Sequence, residues 1–196
     1  TGENRILAHY GLKKLNTNPS IGLQALIDLS SNKTGIFSVN DIVFQIGPRI
    51  NAAGRIEHAK DAVNLLISKS KEEAANFSAS VDDQNNQRKD FDLQITTEAL
   101  AIIENSASNQ ARKSTVLYKS DWHKGVIGIV ASRLTEKYYR PTVILTHTNG
   151  HIAGSARSVI GFDLYEALSE CSDLLEQFGG HKYAAGLTMK EENIPL

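Results

Sequence analysis

One helical pattern, too long for a single small body, dictates how this chain can be organised. Ser70-Lys71-Glu72-Glu73 has the spacing of a capping box, in which a hydroxyl and a carboxylate satisfy N–H groups left open at a helix start. Beyond it Phe77, Val81, Phe91, Ile95, Ala99 and Ile102 recur on one face as far as about Ser106, with Gln84 and Arg88 filling the stripe between them. About 30 helical residues span roughly 45 Å at 1.5 Å per residue. The middle, Asp82 to Asp90, has no apolar residue, and a helix polar all round usually bridges two bodies through solvent. The helix is therefore read as a domain boundary.

Composition limits the partners. With 21 Lys+Arg against 22 Asp+Glu the net charge is −1, so no global basic field attracts a polyanion. A polyanion site must be local, built from a few placed side chains. The single cysteine, Cys171, excludes a disulfide framework and fits a reducing cytoplasm. Its helical spacing beside Leu168 and Leu175 predicts a buried, inert thiol. No apolar run approaches the roughly 18 residues of a membrane helix, and no signal-peptide pattern opens the chain.

Before the long helix, Ile6, Leu7, Tyr10 and Leu15 predict a helix over 3–15. Asn18-Pro19 reads as a second helix start, continuing through Ile21, Leu26 and Leu29. Ser31 to Gly35 is a loop. Ser38 with Asp41 opens a short helix through Val43 and Phe44, which Gly47-Pro48 closes. In Arg49-Ile50-Asn51-Ala52-Ala53-Gly54-Arg55, two guanidinium groups flank small residues. Arginine suits bidentate contact with phosphate, and the small residues predict a tight loop aiming Arg49 and Arg55 to one side. Pairing with neighbouring carboxylates is the alternative.

After it, Asn105 to Ser114 is a polar linker. Thr115–Tyr118 is strand-like, Asp121–Lys124 a turn, Gly125–Tyr138 a helix and Thr142–Leu145 a second strand. Asn149-Gly150 is a hairpin signal leading into a third strand over 151–158. Asp163 caps a helix through Leu164, Leu168 and Leu175, which Gly179-Gly180 stops before the strand Leu187–Met189. Such an order makes a small α/β domain.

Two stretches carry candidate chemistry. In the third strand Ala153, Ser155 and Arg157 alternate with Gly154, Ala156 and Ser158. With no large side chain on either face, the strand presents a hydroxyl and a guanidinium where a sugar–phosphate backbone can approach; a small, polar edge strand is the alternative. In Gly179-Gly180-His181-Lys182-Tyr183-Ala184-Ala185-Gly186, an imidazole and an ammonium stand among residues that leave the backbone open. Trp122 could stack a base but reads rather as a cover over the core edge, and His123 reads as a capping or surface residue. Gly125 and Gly128 read as packing glycines. His58, His147 and His151 lack ligand spacing, and metal, nucleotide-loop and nucleophile-elbow motifs are missing. On these residues alone the chain is a two-body phosphate or polyanion binder.

Four motifs in order then resemble the RecJ family of 5′-to-3′ single-stranded-DNA exonucleases, within the DHH/DHHA1 phosphoesterase superfamily. Ile46 to Arg55 is similar to that family's GPRxNAAGR stretch, and Trp122 to Leu134 to its W-H-x-G-V-I-G-I-V-A-x-R-L. Gly154-Ser155-Ala156-Arg157-Ser158 and the 179–186 motif complete the series, and Gly2 to Leu7 is like the segment after the last metal-binding Asp of a DHH domain. The resemblance implies an α/β fold: a helical DHH remnant over 1–75, a connecting helix and linker over 76–111, and a small mixed-sheet DHHA1 domain over 112–196. It implies that Arg49 and Arg55 support catalysis near the scissile phosphate. Asn51, Ser155, Arg157, Gly179, Gly180 and His181 would bind nucleic acid, the 179–186 motif lining a groove between the bodies. Divalent metal, Mn2+ or Mg2+, would be held upstream of Thr1 and none by this chain, leaving it inactive alone. Single-stranded DNA is the implied partner, with single-strand-binding protein as a further candidate and no membrane. Two other readings stay open: a DHH-type phosphodiesterase for oligonucleotides or cyclic dinucleotides, and a non-catalytic nucleic-acid-binding or docking module.

Overall fold

The computed structural model describes residues 2–30 and 35–195. The chain divides into two compact units, Thr1–Arg88 and Lys89–Leu196. The boundary falls inside one continuous helix, α6 (Lys71–Glu104), whose 34 residues extend about 51 Å at 1.5 Å per residue. Ser70 opens it as predicted: its Oγ accepts from Glu73 N at 3.1 Å, while the Glu73 carboxylate accepts from Lys69 N at 3.1 Å.

Unit 1 is helical. α1 (Glu3–Thr17) and α2 (Ile21–Asp28) precede the short α3 (Val39–Asp41) and then α4 (Gly47–Ile56) and α5 (Lys60–Ile67). The cap of α2 is Ser20, whose Oγ accepts from Leu23 N, rather than the predicted Asn18. Most of the predicted loop, Ser31 to Thr34, lies outside the described residues. Just past it, Asn16 holds the chain like a partner strand: its Oδ1 accepts from Phe37 N at 2.7 Å and its Nδ2 donates to Phe37 O at 2.9 Å. Leu15, Leu26, Phe37, Ile46, Leu65 and Val81 form the centre of the core. Each such side chain contributes roughly 1.5–3 kcal/mol by leaving water.

The Ser38–Asp41 capping box is present, but Gly47-Pro48 does not end the helix. Pro48 has no N–H to donate backwards. The backbone absorbs that loss as a π-helical turn over Ile42–Ile46, in which Gly47 N reaches Ile42 O, and then continues as α4. The predicted arginine loop is thus a helix.

Unit 2 places helices on both sides of a five-stranded sheet of order β1-β2-β3-β5-β4. β1 (Thr115–Tyr118) pairs in parallel with β2 (Thr142–Thr148); β3 (His151–Arg157), β5 (Ala184–Met189) and β4 (Leu175–His181) add antiparallel neighbours. Asn149 and Gly150, at φ 50° and 82°, turn β2 into β3 as the dipeptide predicts. The predicted linker contains a short helix, α7 (Ala107–Ala111), capped by Ser106.

Registers separate the faces. Leu117, Ile144, Ser155, Gly186 and Gly179 share one face, and Gly128 of α8 (Lys124–Tyr138) meets it where a Cβ would lie 2.8 Å from Ser155 Oγ. The other face, with Leu145, Ile152, Ala156 and Leu187, packs with Leu164 and Leu168 of α9 (Leu164–Glu170). Asp163 caps α9, accepting from Tyr165 N and Glu166 N. The helix stops at Glu170, leaving Cys171 exposed rather than buried. Leu175 onward is strand, so Gly179-Gly180 sits in a hairpin and stops no helix. Strand pairing with β5 outweighs the helical spacing of Leu168 and Leu175.

β3 also departs from expectation. It lies between β2 and β5, and Ile152, Ala153, Gly154 and Ala156 are buried, so it is a core strand and not an edge. Its small residues admit close neighbours: a Cβ at Gly154 would stand 2.7 Å from Leu145 and 2.8 Å from Leu187. The polar middle of α6 is not a solvated rod either. Gln84 and Asn85 are buried, and Gln84 Nε2 donates to Glu57 at 3.2 Å.

Candidate nucleic-acid interface

α8 packs across β2 and β3, and beside it the same face opens into a hollow of about 520 Å³ bordered by β3, β5 and β4. Antiparallel registers set three cross-strand rows on this face, Arg157–Ala184–His181, Ser155–Gly186–Gly179 and Ala153–Thr188–Gln177, of which the last two line the hollow. The middle row has almost no side chain. Cβ atoms at Gly179 would meet nothing within 4 Å, and at Gly186 only Gly154 O at 3.9 Å. Neither glycine takes a positive φ, so the fold does not demand glycine at either position. What they preserve is open space above a backbone.

The adjacent glycine works differently. Gly180 lies on the other face at φ 152°, where a Cβ would stand 2.3 Å from Ala184 O. It is required by the hairpin and does not line the hollow.

Polar groups border the floor. Lys124, at the start of α8, lines the hollow together with Ser155 and Gln177. The helix start adds a partial positive charge. His123 caps α8 through Nδ1, which accepts from Gly125 N at 3.2 Å, and its ring stacks on Phe91 at 4.9 Å. Burial holds the His123 pKa below its usual value. Arg157 Nη1 donates to Ser155 Oγ at 3.1 Å and to Ala156 O at 2.8 Å. At the hairpin tip, His181 Nδ1 accepts from Tyr183 N at 3.2 Å, which leaves Nε2 as the nitrogen able to donate.

The second half of α6 holds this scaffold rigid. Asp92, buried, accepts from Arg133 Nε at 2.9 Å and Nη2 at 2.7 Å, the bidentate geometry that makes such pairs strong. Glu98 accepts from Lys119 Nζ and Trp122 Nε1, each at 2.8 Å. Those bonds, with a third from Gln94, draw its pKa down to about 2. Trp122 is buried, as the sequence predicts.

In unit 1 the motif residues do not converge as predicted. Six positions on a helix amount to about 120° of rotation, so Arg49 and Arg55 face apart. Arg49 Nε donates to Asp82 at 2.6 Å and Nη1 to Gln45 O at 2.7 Å, docking α4 onto α6. Asn51 and Arg55, four apart, share an exposed face of α4. Sequence reasoning missed Lys124 and Gln177. Strand alternation back from Gly179 identifies Gln177 once residues 175–181 are read as strand.

A mixed sheet with a glycine-floored hollow beside a helix start is an α/β surface open to the approach of a polyanion. Residues 111–196 match the DHHA1 domain family. Over 195 residues the chain is 43% identical to the single-stranded-DNA-specific exonuclease RecJ of Bacillus subtilis, covering 98% of this chain and 25% of that protein. The RecJ of Haemophilus influenzae is 34% identical over 199 residues, 97% of this chain and 35% of its own length. The crystal structure of Thermus thermophilus RecJ with Mn2+ superimposes with a TM-score of 0.86 at 34% identity, covering 99% of this chain and 28% of that one. The chain belongs to the RecJ family. It spans about a quarter to a third of the length of these relatives.

Related crystal structures contain Mn2+ or Mg2+. Among the described residues, no three His, Cys, Asp or Glu side chains stand together in a group that could hold such an ion. No helix among them is long and apolar enough to cross a membrane.

Proposed function

We propose that this chain supplies strand-binding surface to a single-stranded-DNA exonuclease that hydrolyses phosphodiester bonds with a divalent metal held elsewhere in the protein. The observation that carries the reading is the pair Gly179 and Gly186, glycines that the fold does not require, facing an open hollow beside Ser155 and Lys124. A phosphodiester can lie against backbone there, with Ser155 and Lys124 as donors and Arg157 orienting Ser155, while His181 stands on the same sheet face beyond the lining. In unit 1, Asn51 and Arg55 are assigned to backbone contact, and Arg49 acts by holding α4 to Asp82. Relatives named as single-stranded-DNA-specific exonucleases support the substrate class.

The test is binding of labelled single strands to the chain at several salt concentrations. Affinity is expected to fall as salt rises, because phosphate contacts release counterions, and to fall roughly tenfold in Arg157→Ala. Salt-independent association, or none, overturns the reading. With Mn2+ added, the chain is expected to bind without releasing nucleotides, and release above a blank refutes the assignment of the metal elsewhere.

A further inference from the structure

We propose that the hollow continues into a second compartment that holds a nucleobase by its edge, an inference that rests on the strand-binding reading above. A second cavity of about 390 Å³ shares Lys124, Gln177 and Thr188 with the first and adds Thr148, Asn149, His151 and Glu176. Register explains its position. Thr148 opposes His151 at the end of the β2–β3 hairpin, and Thr188 opposes both Ala153 and Gln177. A bulge between Leu175 and Gln177 makes Glu176 a supernumerary residue in β4. Its carboxylate reaches past β5 to His151 Nδ1 at 2.9 Å and closes that end. The compartments therefore follow one another along the strand direction, with Lys124 beside both.

Their chemistries differ. The first offers bare backbone, a hydroxyl and an ammonium, which suit phosphate oxygens. The second, beside the shared Lys124, adds a carboxylate bonded to the His151 ring, two side-chain amides and two threonine hydroxyls. Side-chain amides and carboxylates are the groups that meet adjacent donors and acceptors on a base edge, the carboxylate accepting from an exocyclic amino group. The ligand class is a neutral planar heterocycle with an exocyclic amine, which adenine, cytosine and guanine have and thymine lacks. A single strand presents such a base one step from the phosphate seated on the glycines.

The experiment measures, by fluorescence anisotropy, binding of short labelled deoxyoligonucleotides in which one abasic site is scanned along the strand. Wild-type chain should lose roughly five- to tenfold in affinity at one position only, and thymine there should bind more weakly than cytosine or adenine. Glu176→Ala, checked for an unchanged thermal midpoint, should abolish that base preference and leave affinity for the abasic strand as it was. Equal affinity for every abasic strand and the intact one overturns the compartment while leaving strand binding in place. Loss of affinity for all strands alike in Glu176→Ala overturns it too. Unimpaired binding by Gly186→Val, whose side chain would occupy the first hollow, defeats the strand-binding reading itself and this inference with it.

Discussion

Two neighbouring glycines in β4 differ in what a side chain would meet. Gly179 has open space where a Cβ would go, and Gly180 has a carbonyl oxygen 2.3 Å away. Gly179→Ala should keep or slightly raise the thermal midpoint, since a compatible Gly→Ala change restricts the unfolded chain, yet weaken single-strand binding roughly tenfold. Gly180→Ala should cost roughly 2–3 kcal/mol through clash and backbone strain. Calorimetry and anisotropy on the same two variants check both statements; equal loss of stability would show that Gly179 is structural after all. At this scale the motif's existence was legible from residues alone, but the division of labour between its glycines was not. It depends on which sheet face each residue meets, and that follows from pairing with β5. Arg49 teaches the same lesson: its guanidinium reads as a phosphate ligand until Asp82, 33 positions away, is seen beside it.

Elements with local signals were readable, and those decided by distant partners were not. Capping boxes, the Asn149-Gly150 turn and the β1–α8–β2 succession each follow from nearby residues. β4 was misread as helix because Leu168 and Leu175 keep helical spacing while the strand's partner comes later in the chain. The π-helical turn before Pro48 was likewise hidden, since proline signals a helix break unless the backbone has room to widen. One local signal remains unoptimised. α8 ends at Tyr139 in the left-handed region, φ 49°, with its side chain 67% exposed. Glycine takes that conformation without a Cβ penalty, so Tyr139→Gly should stabilise the protein by about 0.5–1 kcal/mol. A thermal midpoint about 2–3 °C higher would bear this out, and a lower one would mean the ring contributes packing.

For the molecule, acid sensitivity should come in two stages. His123 serves α8 as a neutral acceptor, and burial keeps its pKa below 6.5. The unfolded chain therefore takes up the proton first as pH falls, and stability declines from about pH 6.5 downward. Glu98, depressed from 4.5 to about 2, adds a second decline between those values as its bonds to Lys119, Trp122 and Gln94 are lost. Urea midpoints across this range should show both stages, and His123→Asn, which caps without titrating, should remove only the first. A profile flat from neutrality to about pH 5 would contradict the role given to His123.

The strand order carries a consequence for how the molecule is made. β5 is the latest in sequence of the five strands of this sheet yet is interior, paired with β3 on one side and β4 on the other. Until residues up to Met189 have left the ribosome, β3 has one unsatisfied edge and β4 has no neighbour. The Gly179–Gly186 face is thus assembled only once β5 has emerged, by one insertion that completes both ladders. A nascent chain thus forms the helices that precede β4 before it has this sheet face, and a chain stopped short of β5 lacks the pairing that sets Gly179 beside Gly186.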